Sequence, residues 1–217
     1  MPKIYIAGDS LAATKLDSKK PETGWGEMLS SYLPDSYEVS NHAINGRSTK
    51  SFIDEKRFDA IKNLTQPGDI LLIQFGHNDQ KKEDPLRYTD PYTTYQENLR
   101  YMIDITRSLH AKPILITSIS RRKFVFSNVL DGSTLGEYPD AMRMLANITK
   151  TPLIDMYQTT QALLSSLGDE GSKRFFLHLK PGEHPNYPLG VEDNTHLSID
   201  GANLISSLIA LELKKYL

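Results

Sequence analysis

Between Pro67-Gly68 and Gly76 the chain reads Asp69-Ile70-Leu71-Leu72-Ile73-Gln74-Phe75. A strand with one wet face alternates apolar and polar residues. This one does not, so it suits a parallel strand covered on both faces. Parallel neighbours need crossover connections of a dozen residues or more, and helices supply them. The rest of the chain fits that demand. Lys3–Ala7, Tyr37–His42, Pro113–Ile119 and Pro152–Asp155 read as further strands. Helical spacing marks Gly24 to about Tyr32, Phe52 to Leu64, Tyr95–Leu109, Tyr138–Thr149, Gln158–Leu167 and Ile199–Tyr216. Strands alternating with helices predict an α/β fold with a parallel sheet and helices on both faces. Three connections exceed the usual length: Gln80–Thr94, Arg121 to about Glu137, and the Pro- and Gly-rich stretch Gly168 to Thr195. Long connections of this kind are expected to wall a functional site.

Residues 1–217 are expected to form one domain, since that length suits a single large core and no linker or repeat interrupts it. There is no cysteine, which removes disulfides, thiolate metal sites and a cysteine nucleophile. The formal net charge of -2 gives no basic footprint for nucleic acid. No apolar run approaches the ~18 residues that span a bilayer, so no membrane partner is expected. No Gly-x-Gly-x-x-Gly or phosphate-loop pattern occurs. The histidines lack zinc spacing, so neither metal nor cofactor is expected. Met1-Pro2-Lys3 followed by Ile4-Tyr5-Ile6-Ala7 is too short for a secretory signal, and a cytoplasmic protein is expected.

In open α/β sheets the ligand crevice lies outside the carboxyl ends of the strands. After the first strand comes Gly8-Asp9-Ser10, and after the second Asn45-Gly46-Arg47. After the third comes Gly76-His77-Asn78-Asp79, and before the last helix Asp193-Asn194-Thr195-His196. Taken singly, each reads equally as a turn or a helix cap. Together they supply the parts of acyl transfer. Ser10 is a nucleophile once a base takes its proton, and His196 is a base with a suitable pKa. Asp193 would fix the imidazole tautomer. Loop amides with the Asn78 side chain would hold an oxyanion.

At these residues the chain resembles the SGNH (GDSL) hydrolases. Gly8-Asp9-Ser10-Leu11, Gly46, Gly76-His77-Asn78-Asp79 and Asp193-x-x-His196 stand for the four blocks. The resemblance implies Ser10 as nucleophile and an oxyanion hole of the Ser10 and Gly46 N–H groups with Asn78. It implies His196 as base and Asp193 as its partner. The fold it implies is a flavodoxin-like three-layer α/β/α sandwich around a five-stranded parallel sheet. Thr23-Gly24-Trp25-Gly26, Asn45-Gly46-Arg47-Ser48, Gln74 to Gln80, Thr134 to Pro139 and Asp193 to Ser198 resemble more narrowly the rhamnogalacturonan acetylesterases, carbohydrate esterase family twelve. Leu11 stands where many of that group carry Thr.

The implied activity is removal of O-acetyl groups from pectic oligosaccharides. Acetylated xylan oligosaccharides are an alternative, and a lysophospholipase or thioesterase is another. The candidate substrate contacts are Asp9, Arg47, His77, Arg121 and Arg122. Arg121-Arg122-Lys123 would supply local cations for a uronate in a protein whose net charge gives no global steering.

Overall fold

The computed structural model describes every residue from Met1 to Leu217 except Ser127. In chain order the elements are β1 (Lys3–Gly8), α1 (Trp25–Met28), β2 (Glu38–Asn41), α2 (Thr49–Asp54), α3 (Arg57–Leu64), β3 (Ile70–Gln74), α4 (Thr94–Ser108), β4 (Lys112–Ile116), β5 (Phe124–Phe126), β6 (Val129–Leu130), α5 (Tyr138–Thr149), β7 (Leu153–Ile154), α6 (Met156–Ser172), β8 (Phe176–Leu179), β9 (Val191–Leu197) and α7 (Ile199–Leu213). Strands β2, β1, β3, β4 and β7 form one sheet in that order, each neighbouring pair parallel.

The apolar run in β3 has a simple cause. Leu72 belongs to one core, with Ile4, Ile6, Ile114 and Ile116 of the sheet, Trp25 of α1, Leu164 of α6 and Ile205 and Ile209 of α7. Leu71 and Ile73 belong to the other, with Tyr5 and Leu115, Phe52 of α2, Phe58 of α3, Leu99 of α4 and Leu145 of α5. Successive side chains point to opposite faces, and helices cover both. Each such side chain contributes about 1.5–3 kcal/mol by leaving water. The expected three-layer α/β/α sandwich is therefore the observed architecture.

The order of strands reverses at β1. The chain steps from β1 out to β2, then returns past β1 to β3. A crevice opens at such a reversal, beyond the strands' carboxyl ends. Gly8 of β1 lies in register with Gln74 of β3. The Asp9-Ser10 and Gly76-Asp79 segments therefore leave the sheet side by side.

Four expectations need correction. The helical stretch Phe52 to Leu64 is two helices, broken where Lys56 adopts a left-handed conformation (φ 58). Both keep their apolar residues on one core, so spacing alone did not reveal the break. The stretch Gly168 to Thr195 is not all loop. The α6 helix runs on to Ser172 across a break at Gly168 (φ 69). Then β8 and β9 form an antiparallel hairpin, with Leu177 opposite Asp193 and Leu179 opposite Val191. Its second strand, Val-Glu-Asp-Asn-Thr-His-Leu, is too polar to read as a strand. The connection Arg121–Glu137 contains the small β5–β6 hairpin; that expectation also covered Ser127, which lies outside the described residues. The fourth and fifth strands end earlier than expected, at Ile116 and Ile154.

Candidate active site

The turn after β1 is built by Asp9. Its side chain accepts the Leu11 N–H at 3.0 Å, and its carbonyl accepts those of Ala12 and Ala13. These bonds curl the chain and leave Ser10 half-buried at the crevice. Asp9 itself is fully buried. Gln74 of β3 donates to it at 3.3 Å and to Ser118 at 2.9 Å. Trp25, at the start of α1, donates its indole N–H to Gln74 at 3.4 Å. Burial pushes the Asp9 carboxyl up to about 6, against the hydrogen bonds from Leu11 and Gln74.

Asp193 plays the same part within β9, where the pairing with β8 is irregular between Asp193 and Leu197. Asp193 Oδ1 accepts the N–H groups of Thr195 (2.7 Å) and His196 (2.9 Å). Its other oxygen lies 2.7 Å from His196 Nδ1. Burial pushes the Asp193 carboxyl up, but the His196 hydrogen bonds outweigh it and hold the group well below the carboxylate range. With Nδ1 donating to Asp193, His196 Nε2 is the acceptor. It lies 3.0 Å from Ser10 Oγ. A hydroxyl, an imidazole and a carboxylate from two ends of the chain thus form one hydrogen-bonded series.

The facing wall comes from β2 and β3. Gly46 takes a left-handed turn (φ 76) that a side chain would strain. Asn78 Nδ2 donates to the Arg47 carbonyl at 3.1 Å, and its Oδ1 accepts from Arg87 at 3.3 Å. The two loops are stitched together by Asp79. That buried carboxyl accepts the Thr49 N–H (3.0 Å) and the hydroxyls of Thr49 (2.6 Å) and Thr89 (2.9 Å). Burial pushes it up to about 7, against those bonds. Tyr138 donates to the Asp79 carbonyl at 2.9 Å and secures the loop from α5.

Ser10, Gly46, Asn78, Asp193 and His196 all line one cleft of about 480 Å³. That size suits a small ligand. Among the described residues its lining is entirely polar or glycine. Of the expected substrate contacts, His77 and Arg121 line it. Burial drives the His77 imidazole well below its ordinary pKa, so it is neutral; among the described residues neither ring nitrogen has a hydrogen-bond partner, and Nδ1 lies 3.9 Å from Asp9. Burial also lowers Arg121, and its Nε has no hydrogen-bond partner among the described residues.

The other three are placed elsewhere. Asp9 lies beneath the cleft. Arg47 is outside the lining, paired with Glu55 at 2.8 Å. Arg122 is turned into the protein. Its guanidinium bonds Ser172 (3.1 Å), Asn194 (2.6 Å) and Asp169, and its backbone N–H donates to the Asn194 carbonyl. The Lys123 N–H donates to the Arg121 carbonyl at 3.0 Å, so the chain turns at Arg122, and only one of the two arginines reaches the cleft. Lys19, Glu22, Lys81 and Arg87 also line the cleft and were missed. They sit in polar loops with no motif to mark them.

The GDSL-like Lipase/Acylhydrolase family pattern matches residues 6–201. The chain is 43% identical over 208 residues to the rhamnogalacturonan acetylesterase RhgT of Bacillus subtilis, covering 96% of this chain and 88% of that one. It is 38% identical to the probable rhamnogalacturonan acetylesterase YesY of the same organism, covering 98% of this chain and 92% of the relative. The crystal structure of the Bacillus subtilis protein YxiM superposes with a TM-score of 0.83 at 25% identity, covering 99% of this chain and 56% of that chain. With its sheet order, its strand-end turns and this match along most of its length, the chain belongs to the GDSL-like lipase/acylhydrolase family.

Proposed function

We propose that this protein is a serine acetylesterase acting on acetylated carbohydrate, with pectic rhamnogalacturonan oligosaccharides as substrate. The observation that carries the reading is the series Ser10–His196–Asp193, at 3.0 and 2.7 Å, opening on a polar cleft. Ser10 Oγ attacks the acetyl carbonyl as its proton passes to His196 Nε2. The Asp193 carboxylate stabilises the imidazolium that results. The tetrahedral oxyanion is held by the N–H groups of Ser10 and Gly46 and by Asn78 Nδ2. His196 then gives its proton to the sugar oxygen as its bond to the acetyl carbon breaks, and the sugar leaves as the free hydroxyl. Water, deprotonated by the same imidazole, cleaves the acetyl-enzyme. Every group these steps require belongs to the chain itself.

Two observations support a sugar ester. Among the described residues the cleft lining carries no apolar side chain to receive a long acyl chain, which disfavours a lysophospholipase or thioesterase. Its lining carries Lys19, Lys81, Arg87 and Arg121 against Glu22 and Asp193. That local excess of cations suits a uronate better than neutral xylan. RhgT and YesY are named for the pectic substrate.

The test is acetate release from acetylated pectic and xylan oligosaccharides, with a chain-length series of nitrophenyl esters alongside. Release is expected from the pectic set and from the acetyl ester, and Ser10→Ala abolishes both while the circular dichroism spectrum persists. Preference for long acyl chains would overturn the acetylesterase reading. Near-normal activity of Ser10→Ala would overturn the mechanism.

A further inference from the structure

A buried cation behind the nucleophile that this chemistry leaves unused is Lys15. Its side chain is 1% exposed and lies outside the cleft lining. An ammonium has three N–H donors and no acceptor. Here each donor meets an oxygen: the Ser10 carbonyl at 2.5 Å, Asn45 Oδ1 at 2.8 Å and Glu22 Oε1 at 2.8 Å. The Lys15 backbone is held as well, since its N–H donates to Glu27, whose carboxylate also takes the Gly24 N–H at the start of α1. A buried cation carries a large desolvation cost and is tolerated only when paired this fully.

The partners are informative. Ser10 follows β1. Asn45 follows β2, the edge strand of the sheet, and directly precedes Gly46. Two of the three oxyanion donors are the N–H groups of Ser10 and Gly46, and they come from these separate loops. Oxyanion stabilisation depends on donors held in place before charge develops. Asn45 is exposed and Gly46 lies in a left-handed turn that glycine adopts freely, so this side of the hole needs an anchor.

We propose that Lys15 is a positioning residue of the oxyanion hole: its buried ammonium clamps the Ser10 loop to the Asn45-Gly46 loop and sets the spacing of their two N–H donors. The proposal rests on the acetylesterase reading above. Lys15 touches no substrate and moves no proton. Glu22 neutralises it and faces the cleft, which keeps the clamp charge-balanced at the cleft wall.

The experiment is a double-mutant cycle on the full chain with 4-nitrophenyl acetate, using Lys15→Met, Asn45→Ala and the double variant. Lys15→Met is expected to lower kcat by about 10–100-fold, the scale of a donor displaced by about an ångström, with KM nearly unchanged. Asn45→Ala lowers kcat in the same direction. The double variant falls no further than Lys15→Met, because both changes open one clamp. Wild-type kcat in either single variant overturns the proposal, as do additive losses or a loss carried by KM. If Lys15→Met fails to fold, Asn45→Ala decides, since it removes one end of the clamp from an exposed loop. A drop in kcat at constant KM supports the clamp, and any other result overturns it. Failure of the esterase reading shows separately, as activity surviving in Ser10→Ala.

Discussion

Asn78 is held from both ends of its amide before any substrate arrives, by the Arg47 carbonyl and the Arg87 guanidinium. That fixes which atom faces the cleft as donor. Asn78→Ala is expected to lower kcat by roughly 10²–10³ with a smaller change in KM, read by steady-state kinetics on an acetyl ester. Asp79 next door makes a different prediction. Its carboxyl sits at about 7 in the folded protein, against an ordinary value of 3.8. Between those values the native state holds a proton that the unfolded chain has released. This contribution to stability is complete below about pH 4 and is lost as the pH rises through 7. His77, whose folded pKa is lowered, opposes it by losing stability as the pH falls below its ordinary 6.5. Asp79→Asn removes only the first contribution. Its stability relative to the wild type should therefore rise from pH 4 to 7, measured as urea midpoints across that range. The residues proposed as nucleophile, base and oxyanion amide could be picked out in the sequence because segments following strands carry recognisable residues. The two arginines at 121 and 122 were not distinguishable, since facing into or away from the cleft is a property of the folded backbone.

The β8–β9 hairpin carries two of the three residues of the proposed catalytic series and was not visible beforehand. It belongs to no part of the main sheet, yet it carries Asp193 and His196. Arg122 ties it to the end of α6 through Asn194, Ser172 and Asp169. Arg122→Ala is expected to lose about 1–3 kcal/mol of stability, because charged and neutral hydrogen bonds go together. It should also lower kcat, as β9 loosens around the base. Arg122→Lys restores little, since an ammonium lacks the planar fork that spans three partners. Urea unfolding and kinetics on the same preparations check both effects. The hairpin escaped notice because its strand is rich in Asp, Asn, Thr and His, and pairing with β8 rather than apolar alternation makes it a strand. By contrast β3 was plain, because burial on both faces writes itself into every residue.

Across the whole molecule the net charge of -2 conceals a cleft in which Lys19, Lys81, Arg87 and Arg121 gather. Burial lowers Lys81, and Arg87 and Arg121 lower it further, as expected of cations crowded together. For an acetylated galacturonate oligosaccharide, kcat/KM should fall as salt rises from about 0.01 to 0.15 M, as the Debye length shrinks from about 30 to 8 Å. For a neutral acetylated xylan oligosaccharide it should stay flat. Equal salt dependence for the two would count against a uronate. The sequence by itself determined the α/β class and the parallel sheet, and it marked Ser10, Gly46, Asn78, Asp193 and His196 as the candidate residues. Each of those follows from local order: apolar continuity, turn chemistry, and position at a strand or helix boundary. Only the tertiary structure decided that Arg122 braces rather than binds, that Lys15 joins two loops, and that four scattered cations share one cleft. Those facts depend on which side chains meet across long stretches of chain, and no local pattern encodes a meeting that distant.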